Sequence, residues 1–374
     1  MSAAPLPDLN AKPGIRVIAA RELTPGDVAA WSHLQTSDPL LASPFFRPEF
    51  TQAVAGVRDD ARVAIVEDAA GAVAFFPFQV GESGIGHPIG GPLSDYHGVI
   101  ARAGWSCDAR NLIRGCGLSA WEFDHLPASQ QAFAKFQRIL TESPIIDLSQ
   151  GYASYVEERV KMLSEPRKKR KLEREVGPVR FETHCADREL LQLLMSWKAK
   201  QYVESGKVDI FTIPWVVAAL EQVYAAQGAD FAGLLSVLYA ADEPIAIHMG
   251  MRSRTVWHYW FPTYNPAFAS YSPGMLLLLE MAAAAASLGV KVIDLGKGRA
   301  LYKERLHNSV VPLIEGSVPV AAMSAALAQI RSCARALLHK SPLLVPARKL
   351  HVACQNLGNR LPFLHRMRSR RRFQ

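Results

Sequence analysis

The sequence predicts an α/β (α+β) protein with two similar halves, mixed central sheets and a basic helical tail at the C-terminus. Three observations support this class. The chain has 374 residues, which is long for one domain. Both halves show the same order of a helix, a hairpin and a strand. Residues 245–302 read as strand, strand, helix and strand, an order typical of α/β proteins.

The hairpin of the second half has the clearest strand pattern. Between residues 245 and 251, large apolar side chains alternate with small or polar ones, the period-two pattern of a half-buried strand. Residues 252–254 are suited to a turn, and residues 256–261 form an aromatic and β-branched second strand. These residues predict a β-hairpin.

A helix that could bind phosphate follows this hairpin. Ser272 is a favoured N-cap residue, Pro273 suits the first helical position, and the helix closes near Gly289 before a strand at residues 290–295. A helix that begins at Gly274 offers unpaired N–H groups and a partial positive charge to a phosphate. An ordinary capped core helix is the alternative interpretation.

Several longer segments of this chain resemble a known family. Residues 260–274, 293–298 and 302–303 are similar to the CelD branch of GNAT acyltransferases, relatives of the FemAB-type transferases. Residues 44–50, 86–98 and 121–127 resemble the N-terminal half of that branch, so the likeness extends over roughly residues 30–315. It implies two tandem GNAT-like halves and an acyl-CoA co-substrate, acetyl-CoA first among the donors, without a metal. The chain has Tyr-Ser-Pro-Gly where many GNAT proteins have Arg/Gln-x-x-Gly-x-Gly/Ala.

Composition shifts divide the chain into four expected segments. They are a flexible lead-in at 1–20, an N-terminal GNAT-like half at 21–150, a C-terminal acyltransferase half at 151–318 and a basic amphipathic tail at 319–374. The remaining expected helices are at about 128–140, 152–163, 188–204 and 215–227. The remaining expected strands are at 62–67, 72–80, 118–124, 145–148, 179–183 and 233–239.

N-acyl transfer needs a base for the amine and an acid for the departing thiolate. By resemblance, Tyr302 is the expected acid, with a packed core tyrosine as its alternative. His248, between two small neighbours, is the expected base or substrate contact, and Asp294 is expected to position the amine or accept its proton. A satisfied core histidine and a turn aspartate are their alternatives. The expected donor-binding residues are Ser272, Gly274, Met275 and Leu276.

The expected acceptor residues come from three places in the chain. A glycine-rich loop can line a cleft between the halves, although a local turn would use the same residues. A helix near 188–204 and the second hairpin strand add further polar side chains, for which core packing or a solvated face is the alternative. The predicted set is Asp95, Tyr96, His97, Trp197, Lys198, His258 and Lys303.

The basic charge of the chain lies at its end. From residue 316 onward there are 11 Lys and Arg and no Asp or Glu, so 31 of the 42 basic and all 34 acidic residues precede it, a net of −3. The tail could bind an anionic inner-membrane surface, a phosphate-rich regulator such as a cyclic dinucleotide, or nothing. A basic run at 167–171 lacks interleaved aromatic residues, so no nucleic acid is expected.

No secretory signal or membrane-spanning run is visible, and five cysteines lack metal-ligand spacing. We therefore expect a cytoplasmic protein, peripheral on the inner membrane if the tail binds there. The sequence predicts an acyl-CoA-dependent N-acyltransferase for an amine of a cell-envelope precursor, first an amino sugar of an exopolysaccharide or adhesin. Two alternatives remain: N-acylation of a sphingoid or other lipid amine, and a catalytically silent binding module regulated through the tail.

Overall fold

The computed structural model describes residues 14–81 and 84–320. Its strands are β1 (Gly14–Ala19), β2 (Ala61–Asp68), β3 (Gly71–Val80), β4 (Ile85–Pro88), β5 (Ile100–Ala101), β6 (Ala120–Pro127), β7 (Gln137–Asp147), β8 (Val179–Glu182), β9 (Phe231–Ala240), β10 (Glu243–Ser253), β11 (Val256–Tyr264), β12 (Val292–Asp294) and β13 (Ser309–Pro319). The helices are α1 (Pro25–Ser37), α2 (Pro48–Ala55), α3 (Ala109–Gly115), α4 (Tyr152–Tyr155), α5 (Glu165–Glu175), α6 (Arg188–Glu204), α7 (Pro214–Ala225), α8 (Pro273–Ala284) and α9 (Leu301–Leu306).

All of these strands belong to one sheet. Its order is β1-β2-β3-β4-β6-β13-β7-β12-β11-β10-β9-β8, with β5 paired to β3. The pairs β4/β6 and β11/β12 are parallel and the others are antiparallel. The expected α/β class with mixed sheets is therefore confirmed.

The two halves of the sheet exchange strands at its centre. β7 precedes the expected boundary at residue 150, yet it pairs with β12 of the second half. β13, from the end of the second half, lies between β6 and β7 and pairs with both. The expected domain limits stay a prediction, but the sheet itself does not divide at residue 150.

Helices cover both faces of the sheet, over separate apolar clusters. One cluster packs α1, α2, α6 and α7 against one face, with Trp31, Phe75 and Leu235 buried inside it. A second packs α8 against the opposite face of the C-terminal half, with Trp257 and Ile293 at its centre. The ends of the strands between these layers are where a ligand can enter.

The sequence prediction was wrong for residues 128–140. A short 3₁₀ turn occupies Gln131–Phe136, and β7 then begins at Gln137. Leu140 pairs with Ile314, so a strand more than 170 residues away sets the conformation of this segment. Such long-range pairing overrides local helix propensity. The expected strand at 145–148 is the end of the same long strand.

Other expected elements need smaller corrections. The expected helix at 152–163 is a short α4 followed by a π-helical turn at Val156–Val160. α6 has its expected bounds, Arg188–Glu204. The lead-in and the tail lie mostly outside the described residues. Within the described part of the chain, no helix combines the length and apolarity that a membrane crossing requires.

Candidate functional site

A cleft of about 630 Å³ opens where β11 ends, beside the first turn of α8. One wall comes from α6 and the segment after it, and the other from residues 297–303. Five of its lining residues are cationic and none is acidic: Lys198, Lys207, Lys297, Arg299 and Lys303. A cleft lined by one sign of charge concentrates ligands of the opposite sign. This cleft is therefore suited to an anionic ligand.

The first turn of α8 forms one end of the cleft. Ser272, Gly274 and Met275 line it, as expected for three of the four predicted donor-binding residues. Leu276 differs, because its side chain is 3% exposed and packs in the core. Ser272 has a left-handed backbone (φ 56°), and its hydroxyl accepts a hydrogen bond from Lys168 Nζ at 2.7 Å. The basic helix α5 therefore adds an ammonium group to this helix N-terminus.

The sheet opens beside the cleft. β11 and β12 pair only from Val256 to His258, opposite Val292 to Asp294. Beyond that point β11 continues to residue 264, while the segment that follows β12 turns away. The turn passes through Gly296, whose φ of 75° is a left-handed conformation that favours glycine. A β-bulge in β11, opposite Gly250 of β10, adds to the distortion. The result is a gap between two neighbouring parallel strands.

A buried carboxylate lies at the base of this gap. Asp294 is 3% exposed and accepts hydrogen bonds from the Tyr96 hydroxyl at 2.5 Å, from Ser143 Oγ at 2.6 Å and from the Gly296 amide at 2.8 Å. Burial, followed by the Asp294 charge, raises the pKa of Tyr96 well above its usual value. The Tyr96 hydroxyl therefore keeps its proton and donates a hydrogen bond to Asp294.

His258 connects this carboxylate to a second one. Its Nε2 lies 2.8 Å from Asp95 Oδ2 and its Nδ1 lies 3.7 Å from Asp294 Oδ1. The ring is fully buried, and Nδ1 has no hydrogen-bond partner among the described residues. Burial opposes ionisation of Asp95, but the hydrogen bond and charge of His258, with smaller effects of His125 and Lys303, hold its pKa below the usual value. Asp95 is the part-exposed member, with 28% of its side chain accessible.

Two lysines of the cleft are tied to backbone carbonyls. Lys303 Nζ donates to Gly296 O at 2.7 Å, which links the cleft wall to the loop beside Asp294. Lys198 Nζ donates to Pro262 O at 2.8 Å on the rim of β11. Burial, with a smaller effect of neighbouring lysines, lowers the pKa of Lys198 to about 8. Both predicted residues therefore lie at the cleft.

Tyr302 lies in the first turn of α9 and lines the cleft. Its ring is 6.2 Å from the ring of Tyr259, in an edge-to-face arrangement. Burial raises the pKa of Tyr302 to about 12, so the hydroxyl keeps its proton at neutral pH. No hydrogen bond of this hydroxyl is seen among the described residues.

Three of the predicted site residues, His248, His97 and Trp197, are held in the packed interior instead of facing the cleft. His248 is fully buried, stacks on Tyr259 and accepts the Trp260 amide on Nε2 at 3.1 Å, and burial lowers its pKa well below the usual value. His97 Nε2 accepts the amides of residues 124 and 125, and burial lowers its pKa to about 3. Trp197 packs against the core. Against expectation, neither histidine has a free lone pair on Nε2 for a substrate.

Two further residues of the site were not predicted from the sequence. Ser143 was inside a segment without a functional pattern, and its contact with Asp294 depends on the strand exchange. Lys168 belongs to the basic run at 167–171, which is considered above only for nucleic-acid binding. Only the packing of α5 beside α8 shows its position at Ser272.

One group of potential metal ligands lies near this network. His97, Asp124 and His125 bring ligand atoms within 4.8 Å of one another. The His97 Nε2 lone pair already accepts two backbone amides, and Asp124 Oδ1 accepts from His125 Nδ1 at 3.0 Å. The internal hydrogen bonds therefore account for this cluster.

Comparisons with known proteins agree with this geometry. Residues 163–304 match the family model described as "Acetyltransferase (GNAT) domain". The second half of the chain is therefore similar to GNAT acetyltransferase domains over these residues. A search of curated proteins returned no match.

Two solved structures share the fold of almost the whole chain. FemX is 10% identical with a TM-score of 0.55, covering 84% of this chain and 99% of its own. The C-terminal domain of a lysylphosphatidylglycerol synthetase from Agrobacterium fabrum is 12% identical with a TM-score of 0.50, covering 83% and 97%. These likenesses show that the fold shared with these two proteins spans both halves of the chain. The CelD branch stays a prediction.

Proposed function

We propose that the chain is an N-acyltransferase that binds an acyl-CoA in the cationic cleft and transfers the acyl group to an amine. The observation that carries this proposal is the cleft itself. It combines five cations, no lining acid, a helix N-terminus and a gap between parallel strands. An anionic donor can occupy the cleft while its thioester reaches the gap.

The phosphates of the donor bind at the cationic end of the cleft. The first turn of α8 supplies backbone N–H groups, and Lys168 and Lys198 supply ammonium groups on either side. This arrangement replaces the more usual glycine-rich pattern with a serine cap and a lysine from another helix. The pantetheine arm then follows the free edge of β11 toward Tyr302.

The reaction forms a C–N bond and breaks a C–S bond. The amine nitrogen attacks the thioester carbonyl carbon, and the tetrahedral intermediate then expels the CoA sulfur. Tyr302, still protonated because its pKa is about 12, donates its proton toward that sulfur. The surplus proton of the amine passes to the Asp95–His258–Asp294 network, which offers an unpartnered ring nitrogen. Asp294 orients this network, and His248 shapes the bulge beneath it.

Acyl-CoA binding is the first test. Isothermal titration should give a dissociation constant for acetyl-CoA or a longer acyl-CoA, and thiol release should require an added amine. Arg299→Ala should weaken binding, because it removes a cleft cation. Arg102→Ala is a matched control, since this arginine lies outside the cleft and pairs with Asp68. Binding of no acyl-CoA, together with no thiol release with any amine, would refute the proposal.

A silent binding module is the second candidate. The missing glycine-rich phosphate pattern favours it. Such a module could bind CoA or an anionic regulator but would release no thiol. Single-turnover measurements with a panel of amines would separate the two functions.

The resemblance suggests two acceptor classes, an amino sugar of an exopolysaccharide and a lipid amine. Product mass separates them directly. Incubation of the full chain with acyl-CoA and either a hexosamine or a long-chain amine should give one acylated product. The acyl length is read from the same spectrum.

A further inference from the structure

A second cavity of about 680 Å³ lies beside the same carboxylate network. Its walls come from the segment after α1 and from β7, β11, β12 and β13. Tyr96 and Asp294 line it, although neither lines the cationic cleft. The hydrogen-bonded pair of Tyr96 and Asp294 therefore faces a separate space.

The cavity and the cleft lie on opposite faces of the sheet. On β12, Val292 and Asp294 line the cavity, while Ile293 between them packs in the α8 core. Tyr259 and Tyr302, which line the cleft, pack against that same α8 core. The last β11/β12 pair ends at Asp294, so the cavity comes nearest to the gap at this residue. A donor on one face can therefore meet an acceptor from the other.

The two spaces have opposite charge. The cleft is lined by five cations and no acid. The cavity is lined by four aspartates against Arg254 and Lys291, a net of −2, and Arg254 is already paired with Asp230 at 2.7 Å. A phosphate-bearing donor suits the first and a protonated amine suits the second.

Apart from its six charged residues, the cavity wall has ten apolar and eight polar residues. Ten of its 24 lining residues are Ala, Pro, Leu, Ile or Val, contributed by all five wall segments. Ser43 also lines it, with a buried hydroxyl that has no hydrogen-bond partner among the described residues. A hexosamine would place some of its hydroxyl groups against these apolar side chains, at a free-energy cost. An aliphatic ligand has no hydroxyl groups and would not carry this cost.

We propose that this cavity is the acceptor site and that its ligand is a primary amine on an apolar body. The proposal rests on the acyltransferase function above and names its acceptor class. The ammonium group lies at Tyr96 and Asp294, and the apolar body lies along β12 and β13. The ammonium group loses one proton to the network and the free amine attacks the thioester carbon through the gap. The nitrogen then sheds a second proton, which restores the one that Tyr302 gives to the departing CoA sulfur, and the product leaves as the amide.

Binding without a donor tests the site independently of catalysis. n-Alkylamines from butylamine to decylamine are titrated into the full chain by calorimetry, with glucosamine as the polar comparison. Each added methylene should tighten binding about threefold to fourfold until the cavity is filled. Glucosamine binding that equals that of octylamine, or no dependence on chain length, would overturn the acceptor class.

Variants of the cavity floor test the location. Val292→Phe fills the space beside Asp294, and Val311→Phe does so from β13 if the first variant folds poorly. Each should weaken octylamine binding about tenfold or more and leave the CoA dissociation constant unchanged. Val179→Phe, a half-buried valine on β8 away from the cavity, is the matched control. Unchanged octylamine binding in both cavity variants would refute the site.

Failure of this inference differs from failure of the proposed function. Amine binding without any CoA binding or thiol release would reject the acyltransferase and keep the cavity. CoA-dependent acylation of hexosamines, unaffected by Val292→Phe, would keep the acyltransferase and reject the cavity.

Discussion

Tyr302→Phe separates the chemistry of the cleft from its stability. The Tyr302 hydroxyl has no hydrogen-bond partner among the described residues, and the ring contacts Tyr259 through its edge. Phenylalanine keeps the ring and removes only the oxygen. We therefore expect the melting temperature and the acyl-CoA dissociation constant to stay close to the wild-type values.

The expected loss of turnover follows from the role of the hydroxyl. A hydrogen bond to a charged group contributes about 1.5–3 kcal/mol, equivalent to roughly 10- to 150-fold in rate if it forms only as the thiolate departs. Full proton donation contributes about 10²–10⁴-fold. Since the pKa of Tyr302 is about 12, the hydroxyl stays protonated across the usual assay range, and the rate should show no loss of this acid below pH 10.

Thiol release at saturating acyl-CoA and amine measures this effect as kcat. Tyr264→Phe is the control, because Tyr264 lines the same cleft and is 37% exposed. The control should retain wild-type turnover. A Tyr302→Phe protein with wild-type kcat would remove Tyr302 from the mechanism. A change confined to KM would show a binding role that is equal in the ground and transition states.

Three further predictions concern the donor, the bulge and the tail. Acyl-CoA affinity should fall about fivefold between pH 7 and 9, because Lys198 loses its charge as pH rises through its pKa of about 8, and calorimetry on Lys198→Met should show weaker binding without this pH dependence. Gly250→Ala should lower the free energy of unfolding in urea by about 1–3 kcal/mol, because the added Cβ would lie 2.4 Å from His258 O and from the His248 ring. Deleting residues 326–374 should leave CoA affinity unchanged, because every residue that lines the cleft precedes them, and should abolish any salt-sensitive binding to anionic vesicles, because they hold all 11 Lys and Arg of the basic end; loss of CoA affinity would give the tail a role in the site.

Local sequence patterns correctly predicted the elements whose conformation depends on residues nearby in the sequence. The hairpin at 245–261 and helix α6 follow from periodicity and capping, which act over a few residues. The helix wrongly expected at 128–140 shows the limit of such patterns. Its residues become a strand because β13 pairs with them, and no nearby residue indicates that partner.

The site shows the same limit. Tyr302 was predicted from a family resemblance, Ser272 from its N-cap pattern and Lys198 from its place on a predicted helix, and all three lie at one cleft. The Asp95–His258–Asp294 chain was predicted only as separate residues, because its members are up to 199 positions apart and meet through sheet register. His248 was predicted as a base from its small neighbours, but those neighbours make room for a bulge.

The exchange of β7 and β13 makes a prediction about the whole chain. β13 is a central strand whose removal would expose β6 and β7 and take Leu313, Ile314 and Val318 out of the core. Burial of each such side chain contributes about 1.5–3 kcal/mol, and their sum approaches the whole stability of a typical domain.

A chain that ends at residue 306 should therefore lose the fold of both halves, including the N-terminal half that it keeps in full. Differential scanning calorimetry should show one transition for the full chain and none for the truncated one. A chain shortened after residue 320 is the control, because it retains β13. If residues 14–150 instead melted as an independent unit in the truncated protein, the exchanged strands would be an appendage and the two halves would be separate domains.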